Sequence, residues 1–266
     1  LAPMMFNRNL IQALGSRNRF SASTVDQRPK EITSSLMFGS VTVPVPDLDR
    51  TQYIVLLGAN PHASNGSLCT APDFPGRLDR IQARGGKVVV VDPRRSETAM
   101  RSDEHLAIRP ASDAHLLAGI AHTMLAEGIA KPDNVAAHCN GLDRLPELLA
   151  PYSAEAVAGV CGIDADTIRR IARELVDAPC AAVYGRIGTC TQEFGTLASW
   201  LVDVVNILSG NLDREGGAMF TKGAVGQPSS KGRPGSGKGF RMGRQVSRVG
   251  KHLEALGEFP VTALPE

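Results

Sequence analysis

Two short apolar runs, Tyr53–Leu57 and Val88–Val91, form the strongest pattern along the chain. Each run is nearly continuous in hydrophobic residues and is bounded by turn-forming residues. Such runs are typical of parallel strands that are buried on both faces. The segment between them carries Leu78 and Ile81 among arginines, which predicts an amphipathic helix, and a Gly-Gly pair ends it. Strand, helix and strand together predict a right-handed βαβ unit.

The alternation of strands and helices continues toward the carboxyl end. His105–Asp113 predicts a third short strand followed by a loop, and a helix with one apolar face runs from about Ser112 to Glu127. A further apolar strand, Cys180–Tyr184, precedes a helix at Glu193–Leu208 that is apolar nearly all round and is therefore predicted to be buried. This order predicts an α/β fold with Rossmann-like layers, a mostly parallel sheet and flanking helices.

Small and charged residues follow the first two strands, at the edge where parallel α/β sheets bind ligands. Gly58–Pro61 is small and turn-forming, so its backbone amides can approach a phosphate group or a ring edge. Asp92–Arg95 offers one carboxylate and two guanidinium groups, which suit a nucleoside and a pyrophosphate. The alternative is that both segments are ordinary turns that end core strands. The pattern leaves both interpretations open.

A second glycine-rich turn follows the strand at Cys180–Tyr184. Gly185, Gly188, Thr189 and Gln192 lie between that strand and the buried helix. The amino end of a helix attracts anions and polar ligands, because its first backbone N–H groups are unpaired. This turn therefore predicts a second ligand-facing segment at the same edge of the sheet.

Asp113 begins a predicted helix and has two interpretations. Either it or Ser112 caps the helix, or its carboxylate lies at the same sheet edge as Asp92 and bonds the edge of a purine. His115 and His122 are seven residues apart on this helix and have no acidic third ligand at helical spacing. The sequence therefore predicts no metal site there.

Composition narrows the possible partners. The chain has 266 residues, of which 42% are hydrophobic, enough for the core of one or two domains. Its 29 basic and 27 acidic residues give a net charge of only +2. The overall charge therefore gives no indication that the chain binds a nucleic acid or a membrane. No apolar run approaches the roughly 20 residues that cross a bilayer. Five scattered cysteines without CxxC spacing argue against a disulfide framework or a zinc site and fit a reducing, cytoplasmic compartment.

Residues 216–253 contain no acidic side chain and are rich in Gly, Ser, Pro, Lys and Arg. Gly232–Gly239 matches the spacing of a P-loop up to its last position, where Gly239 replaces the Ser or Thr that holds magnesium, and no predicted strand precedes it. We therefore interpret this stretch as a basic loop. Its neighbours Arg241, Arg244 and Arg248 could grip an acidic partner or a cofactor phosphate. The last ten residues, 257–266, predict no regular structure.

Several of these segments resemble one family when they are read in order. LGANPHASNGS, VVVVDPRRSETA, DEHLAIRPASDAHLLAGI and YGRIGTCTQEFGTLASWLVDVVNILSGNLDREGGAMF resemble the molybdopterin oxidoreductases of the dimethyl sulfoxide reductase superfamily, in particular its formate-dehydrogenase-like branch. The resemblance covers nearly the whole chain. It implies the central part of a large subunit that binds two molybdopterin guanine dinucleotides (bis-molybdopterin guanine dinucleotide, with molybdenum) through related α/β domains.

The resemblance also implies cofactor-binding positions. One dinucleotide would lie along the turn after the first strand, which holds Gly58, Asn60, Pro61 and Ser64. Its ribose and phosphate would contact Asp92 and Arg94 after the second strand, and its guanine edge would pair with Asp113. The pterin would approach the later glycine turn, which holds Gly185, Gly188, Thr189 and Gln192.

The chain departs from the family pattern where the metal chemistry is expected. No cysteine cluster for iron–sulfur binding and no Cys, selenocysteine or Ser ligand to molybdenum is matched, and Cys69 follows the dinucleotide loop instead. Formate dehydrogenases place a substrate-side Arg where this chain reads MFTKG, and that role is not transferred to Lys222. We expect an iron–sulfur cluster only in the full-length protein. Catalytic residues therefore remain unknown, and the fragment alone is expected to have no turnover.

The resulting expectations concern domains and partners. Because the first residue is Leu1, we expect the chain to start inside a longer gene product, with the rest of that polypeptide and electron-transfer subunits as partners, and with no nucleic acid. The alternative is a non-catalytic nucleotide-binding or subunit-interaction module of the same fold. An NAD-type protein is disfavoured because Gly58–Pro61 lacks GxGxxG. The expected regions are a partial α/β segment and crossover at 1–50, a Rossmann-like dinucleotide-binding unit at 51–130, a helical segment with a second α/β unit at 131–215, and a basic Gly/Pro/Ser-rich loop and tail at 216–266.

Overall fold

The computed structural model describes residues 9–221 and 241–265. In chain order, its strands are β1 (Phe20–Ser21), β2 (Val45–Pro46), β3 (Tyr53–Leu57), β4 (Lys87–Val91), β5 (Glu104–Leu106), β6 (Ala181–Gly185), β7 (Ala218–Met219), β8 (Met242–Val246), β9 (Leu253–Ala255) and β10 (Phe259–Pro260). The α-helices with described bounds are α1 (Arg28–Phe38), α2 (Pro61–Ser64), α3 (Phe74–Ala83), α4 (Asp113–Ala126), α5 (Leu145–Leu149), α6 (Ala154–Cys161), α7 (Ala165–Asp177), α8 (Ile187–Cys190) and α9 (Gly195–Leu208).

Four of the strands form a parallel sheet in the order β5-β4-β3-β6. Strand β3 is central: it pairs with β4 from Tyr53 opposite Lys87, and with β6 from Tyr53 opposite Ala181. The order matches the two apolar runs and the later strand that the sequence predicts. The predicted α/β fold with a mostly parallel sheet is therefore confirmed.

Both faces of this sheet are covered, which explains why β3 is apolar at every position. Alternate side chains of a strand point to opposite faces. Tyr53, Val55 and Leu57 pack into the larger core with α4, α6, α7 and α9, whereas Ile54 and Leu56 pack against α3 on the other face. All five residues are buried. The carboxyl ends of β3, β4 and β6 consequently meet at one edge between two layers of helix.

The boundaries of several elements differ from the prediction. The buried helix α9 begins at Gly195 instead of Glu193, and the glycine-rich turn before it is itself one turn of helix, α8. Gly195 permits this because a Cβ at that position would lie 2.2 Å from the carbonyl oxygen of Cys190. The first residue of α9 therefore packs directly against the last residue of the coiled turn.

The prediction that the last residues lack regular structure was wrong. Strand β10 pairs in parallel with β1, so that Phe20 lies opposite Phe259. The Glu258 carboxylate accepts a hydrogen bond from Ser21 Oγ at 2.6 Å and forms an ion pair with Arg28. These contacts join residues near the two ends of the chain. A local sequence pattern cannot predict a pairing between such distant residues.

Part of the predicted structure lies outside the described residues. Residues 9–14 are helical, whereas the start of the predicted Leu1–Leu14 helix, the P-loop-like stretch Gly232–Gly239 and Lys222 fall outside the described part of the chain. Among the helices that are described, none is long and apolar enough to cross a lipid bilayer.

Candidate functional site

Two glycine turns touch backbone to backbone at the carboxyl edge of the sheet. Gly58 directly follows β3 with a φ of +53°, and its carbonyl oxygen accepts a hydrogen bond from the N–H of Gly188 at 3.0 Å. A Cβ on Gly58 would lie 2.6 Å from the Cα of Gly188, and a Cβ on Gly188 would lie 2.6 Å from the Cα of Gly58. Any side chain at either position would therefore push the turns apart.

Asp113 and Gln192 meet next to these turns. Asp113 is only 5% exposed, and its Oδ2 accepts a hydrogen bond from Gln192 Nε2 at 2.7 Å. Ser112 occupies the N-cap position of α4, and its side chain makes no cap hydrogen bond. Burial raises the pKa of Asp113, the hydrogen bond from Gln192 opposes that shift, and the nearby charge of Asp92 adds to it.

The rest of the later turn is held by its own backbone. Gly185 ends β6, and a Cβ there would lie 2.8 Å from Thr189 Oγ1. Thr189 is buried and donates from Oγ1 to the carbonyl oxygen of Arg186 at 2.8 Å. Gly185, Gly188, Thr189 and Gln192 therefore form one compact surface that faces the Gly58 turn.

The first turn is braced by Asn60. Its Oδ1 accepts hydrogen bonds from the N–H and the Oγ1 of Thr98 at 3.2 and 2.8 Å, and its Nδ2 donates to Glu97 Oε2 at 2.6 Å. Pro61 is the buried first residue of α2, and Ser64 Oγ donates to the carbonyl oxygen of Asn60 at 3.2 Å. These side chains tie the turn to the loop after β4, so they shape the site through the backbone.

Asp92 and Arg94 occupy that neighbouring loop. Asp92 Oδ1 accepts a hydrogen bond from the backbone N–H of Arg94 at 2.8 Å, which closes the turn after β4. The side chain of Arg94 is 70% exposed and contacts Glu97 Oε2 at 3.2 Å. The guanidinium is thus at the surface, where surrounding water competes with its ion pair.

The sequence missed a buried polar cluster beside the later turn. Lys30 in α1 is 2% exposed and donates from Nζ to the carbonyl oxygen of Gly185 at 3.3 Å. Arg186 is buried as well and contacts Asp26 and Ser67. The face of α1 that is buried is polar and includes Lys30. An arginine directly after a core strand was the available signal for Arg186.

A second missed group lies in the middle of α9. Asp203 is buried, and burial raises its pKa to about 6, while the positive charge of Lys30 opposes the shift. The helix is apolar enough that the sequence predicted its burial but gave no partner for its one acidic residue. Within the described residues, no group of three or more His, Cys, Asp or Glu side chains could hold a metal ion.

Fold and site together define a Rossmann-like protein with two glycine turns at the ligand-binding edge of a parallel sheet. The family model for molybdopterin oxidoreductases matches residues 2–252. The chain therefore belongs to the molybdopterin oxidoreductase family, and the resemblance found in the sequence is confirmed. The cofactor of that family is molybdopterin with molybdenum.

Individual relatives agree with the family. The chain is 31% identical over 223 residues to the thiosulfate reductase molybdopterin-containing subunit PhsA of Salmonella typhimurium, which covers 81% of this chain and 28% of that protein. It is 26% identical over 176 residues to formate dehydrogenase H of Escherichia coli, which covers 66% of this chain and 24% of that protein. The chain thus spans about a quarter of the length of these curated relatives.

A solved structure supports the fold. Acetylene hydratase from Pelobacter acetylenicus superimposes with a TM-score of 0.64 at 22% identity, over 74% of this chain and 26% of that one. At this identity the likeness concerns the fold alone.

Two buried polar atoms near this edge lack a hydrogen-bond partner. Gln192 Oε1 is buried and has no hydrogen-bond partner among the described residues, and neither has the buried Nδ1 of His115, two residues after Asp113 in α4. A buried polar atom without a partner is costly, so both atoms favour a polar ligand. Because neither Gly58 nor Gly188 carries a side chain, the two turns meet and present one joined surface at the edge.

Proposed function

We propose that this chain is the cofactor-binding central region of a molybdopterin-dependent, formate-dehydrogenase-like oxidoreductase, and that it holds a molybdopterin guanine dinucleotide. The observation that carries the proposal is the direct contact of the Gly58 and Gly188 turns beside the Asp113–Gln192 hydrogen bond. This juxtaposition joins two segments that are 130 positions apart, at the sheet edge where such folds bind nucleotides.

Each part of the edge has a distinct role in this proposal. The dinucleotide would lie against the joined surface of the turns at Gly58 and Gly188, at the carboxyl edge of the sheet. Asp113 accepts hydrogen bonds from the guanine edge, and Asp92 and Arg94 contact the ribose and phosphate. Burial raises the pKa of Asp113 because it removes water from the carboxylate. A ligand edge that carries hydrogen-bond donors would compensate for that loss, whereas apolar surroundings would not.

The cofactor supplies two-electron redox chemistry at molybdenum when it is bound, whereas the protein binds and orients it. Gln192 would turn its free Oε1 toward the pterin, and the buried face of α9 would keep water from the back of the turn. We assign no catalytic residue within this chain.

Asp113→Ala tests the proposal, with Asp143→Ala, an exposed residue, as the matched control. We expect Asp113→Ala to weaken binding of the guanine dinucleotide about tenfold or more, because a charge-assisted hydrogen-bond pair is lost. Calorimetric titration of the full chain measures the affinity, and thermal unfolding checks that both variants fold. The same loaded chain is expected not to oxidise formate. Unchanged binding in Asp113→Ala would instead favour a non-catalytic module of the same fold.

We further propose which parts of the enzyme would surround this fragment. The remainder of the polypeptide would supply an iron–sulfur cluster and the second half of a bis-molybdopterin guanine dinucleotide site, and electron-transfer subunits would accept or deliver the electrons. A cytoplasmic location is the expectation from the scattered cysteines.

A further inference from the structure

Arg186 lies at the carboxyl edge of the sheet, immediately after β6, yet its side chain is buried and only 6% of the residue is exposed. Its Nη2 donates to Ser67 Oγ at 2.7 Å and to Asp26 Oδ2 at 3.3 Å. Nη1 lies 2.9 Å from Asp26 Oδ1, but its N–H groups are not directed at that oxygen. Among the described residues, neither Nη1 nor Nε has a hydrogen-bond partner.

The donors around Arg186 outnumber the acceptors. A guanidinium has five N–H donors and no acceptor, and only those on Nη2 have partners here. The Oδ1 of Asp26 is also buried without a hydrogen bond, so the ion pair is poorly aligned on both sides. A ligand that presents several acceptor oxygens would satisfy the free N–H groups, because guanidinium geometry matches carboxylate, sulfate and phosphate oxygens.

Two further cations lie near Arg186, although each also has an acidic neighbour: Arg28 pairs with Glu31 and Glu258, and Lys30 lies near the buried Asp203. Lys30 is buried at 2% exposure and donates to the carbonyl oxygen of Gly185, the residue before Arg186. Arg28, two positions after Asp26, also has a buried Nε without a partner within the described chain. Asp26 keeps 32% of its side chain exposed, so its carboxylate can turn out to solvent when another anion takes its place.

We propose that Arg186 binds a small oxyanion and that the Asp26 carboxylate occupies the anion's position when no ligand is present. The oxyanion is either a free ion or the phosphate group of a bound nucleotide, since both offer the same acceptor oxygens. The site goes beyond the proposed function, because it would exist whether or not the glycine turns bind a dinucleotide.

Anion binding by the full chain tests this assignment. Sodium sulfate is the probe for a free oxyanion and GDP the probe for a nucleotide phosphate, each titrated at constant ionic strength held with sodium chloride. Thermal unfolding and calorimetric titration are the two measurements. The variants are Arg186→Gln and Asp26→Asn, and the control is Arg173→Gln, which removes an exposed arginine that pairs with Glu127.

The two variants are expected to act in opposite directions. Arg186→Gln should weaken sulfate or GDP binding at least about tenfold, the equivalent of about 1.4 kcal/mol. Asp26→Asn should strengthen it, because the competing carboxylate is gone. A purely structural ion pair would instead make both variants less stable without any effect on anion affinity. Arg173→Gln should bind as the wild type does.

The result also identifies the source of the anion. Saturable binding of sulfate assigns the site to a free oxyanion, and binding of GDP alone assigns it to a nucleotide phosphate. Equal affinity of the wild type and Arg186→Gln, or no saturable binding of either probe by the wild type, would overturn the assignment. If Arg186→Gln does not fold, the double variant Asp26→Asn/Arg186→Gln keeps an uncharged pair, and the same loss is expected. Sulfate binding without dinucleotide binding would refute the proposed function alone.

Discussion

At the scale of single residues, Asp203 shows how a buried acid alters stability. It lies in the interior of α9, where burial raises its pKa to about 6 and Lys30 only partly offsets the shift. The ionised carboxylate is therefore disfavoured in the folded protein relative to the unfolded chain, where its pKa is near the ordinary value of 3.8.

We predict that Asp203→Asn removes a pH-dependent loss of stability. Because the folded state holds the proton more tightly, the contribution of Asp203 is complete below about pH 4 and is lost as the pH rises through about 6. Between those limits the free energy of unfolding of the wild type should fall by about 3 kcal/mol relative to that of Asp203→Asn. Urea unfolding of both proteins at several pH values measures the difference. Asp166→Asn, which is exposed, controls for the loss of one charge, and a difference that does not vary with pH would contradict the raised pKa.

Single residues also mark the limit of the sequence. Gly58 and Gly188 were identified as turn glycines from their position after apolar strands. Their mutual contact was not predictable, because it depends on β3 and β6 being neighbours in the sheet. Arg186 and Lys30 were missed because buried cations have no periodic pattern.

At the scale of elements, a charged network joins the amino edge of the sheet to α7. Glu174 accepts a hydrogen bond from the Tyr53 hydroxyl at 2.7 Å and contacts Lys87 at 3.1 Å and Arg170 at 2.9 Å. Burial opposes ionisation of Glu174, but its three partners outweigh burial and lower its pKa. The network lies at the opposite end of the strands from the glycine turns, so its contribution is to stability.

We predict that Glu174→Gln lowers the free energy of unfolding by about 1–3 kcal/mol, because it leaves two partly buried cations with less compensation. Cofactor affinity should stay as in the wild type. Glu147→Gln, on the exposed side of α5, is the control and should change stability by less than about 0.5 kcal/mol. Chemical denaturation of the three proteins compares them. If Glu174→Gln is as stable as the wild type, the network makes no net contribution to the free energy of unfolding.

Elements were the scale at which the sequence was most informative. Ser153 and Asp164, residue types that favour helix N-caps, accept hydrogen bonds from the backbone N–H groups of Ala156 and Thr167 at the starts of α6 and α7. These features depend on neighbours in the chain. The pairing of β1 with β10 depends on residues more than 230 positions apart and was missed for that reason.

At the scale of the whole molecule, two glycine turns from distant parts of the chain form one surface over a shared sheet. The larger core beneath them is built by α4, α6, α7 and α9, so the turns rest on a rigid layer. The family membership of the chain agrees with this arrangement. The domain limits drawn from the sequence stay predictions.

The cofactor content of Gly188→Ala tests the central claim most directly. Gly159→Ala is the matched control, since both glycines lie in helices and a Cβ on Gly159 has nothing within 4 Å, whereas one on Gly188 would lie 2.6 Å from Gly58 Cα. Each full chain is produced in a host that makes molybdopterin guanine dinucleotide, and native mass spectrometry measures the bound fraction. We predict dinucleotide in the wild type and in Gly159→Ala, and its loss from a folded Gly188→Ala. Equal dinucleotide in all three chains, or none in the wild type, would contradict the account.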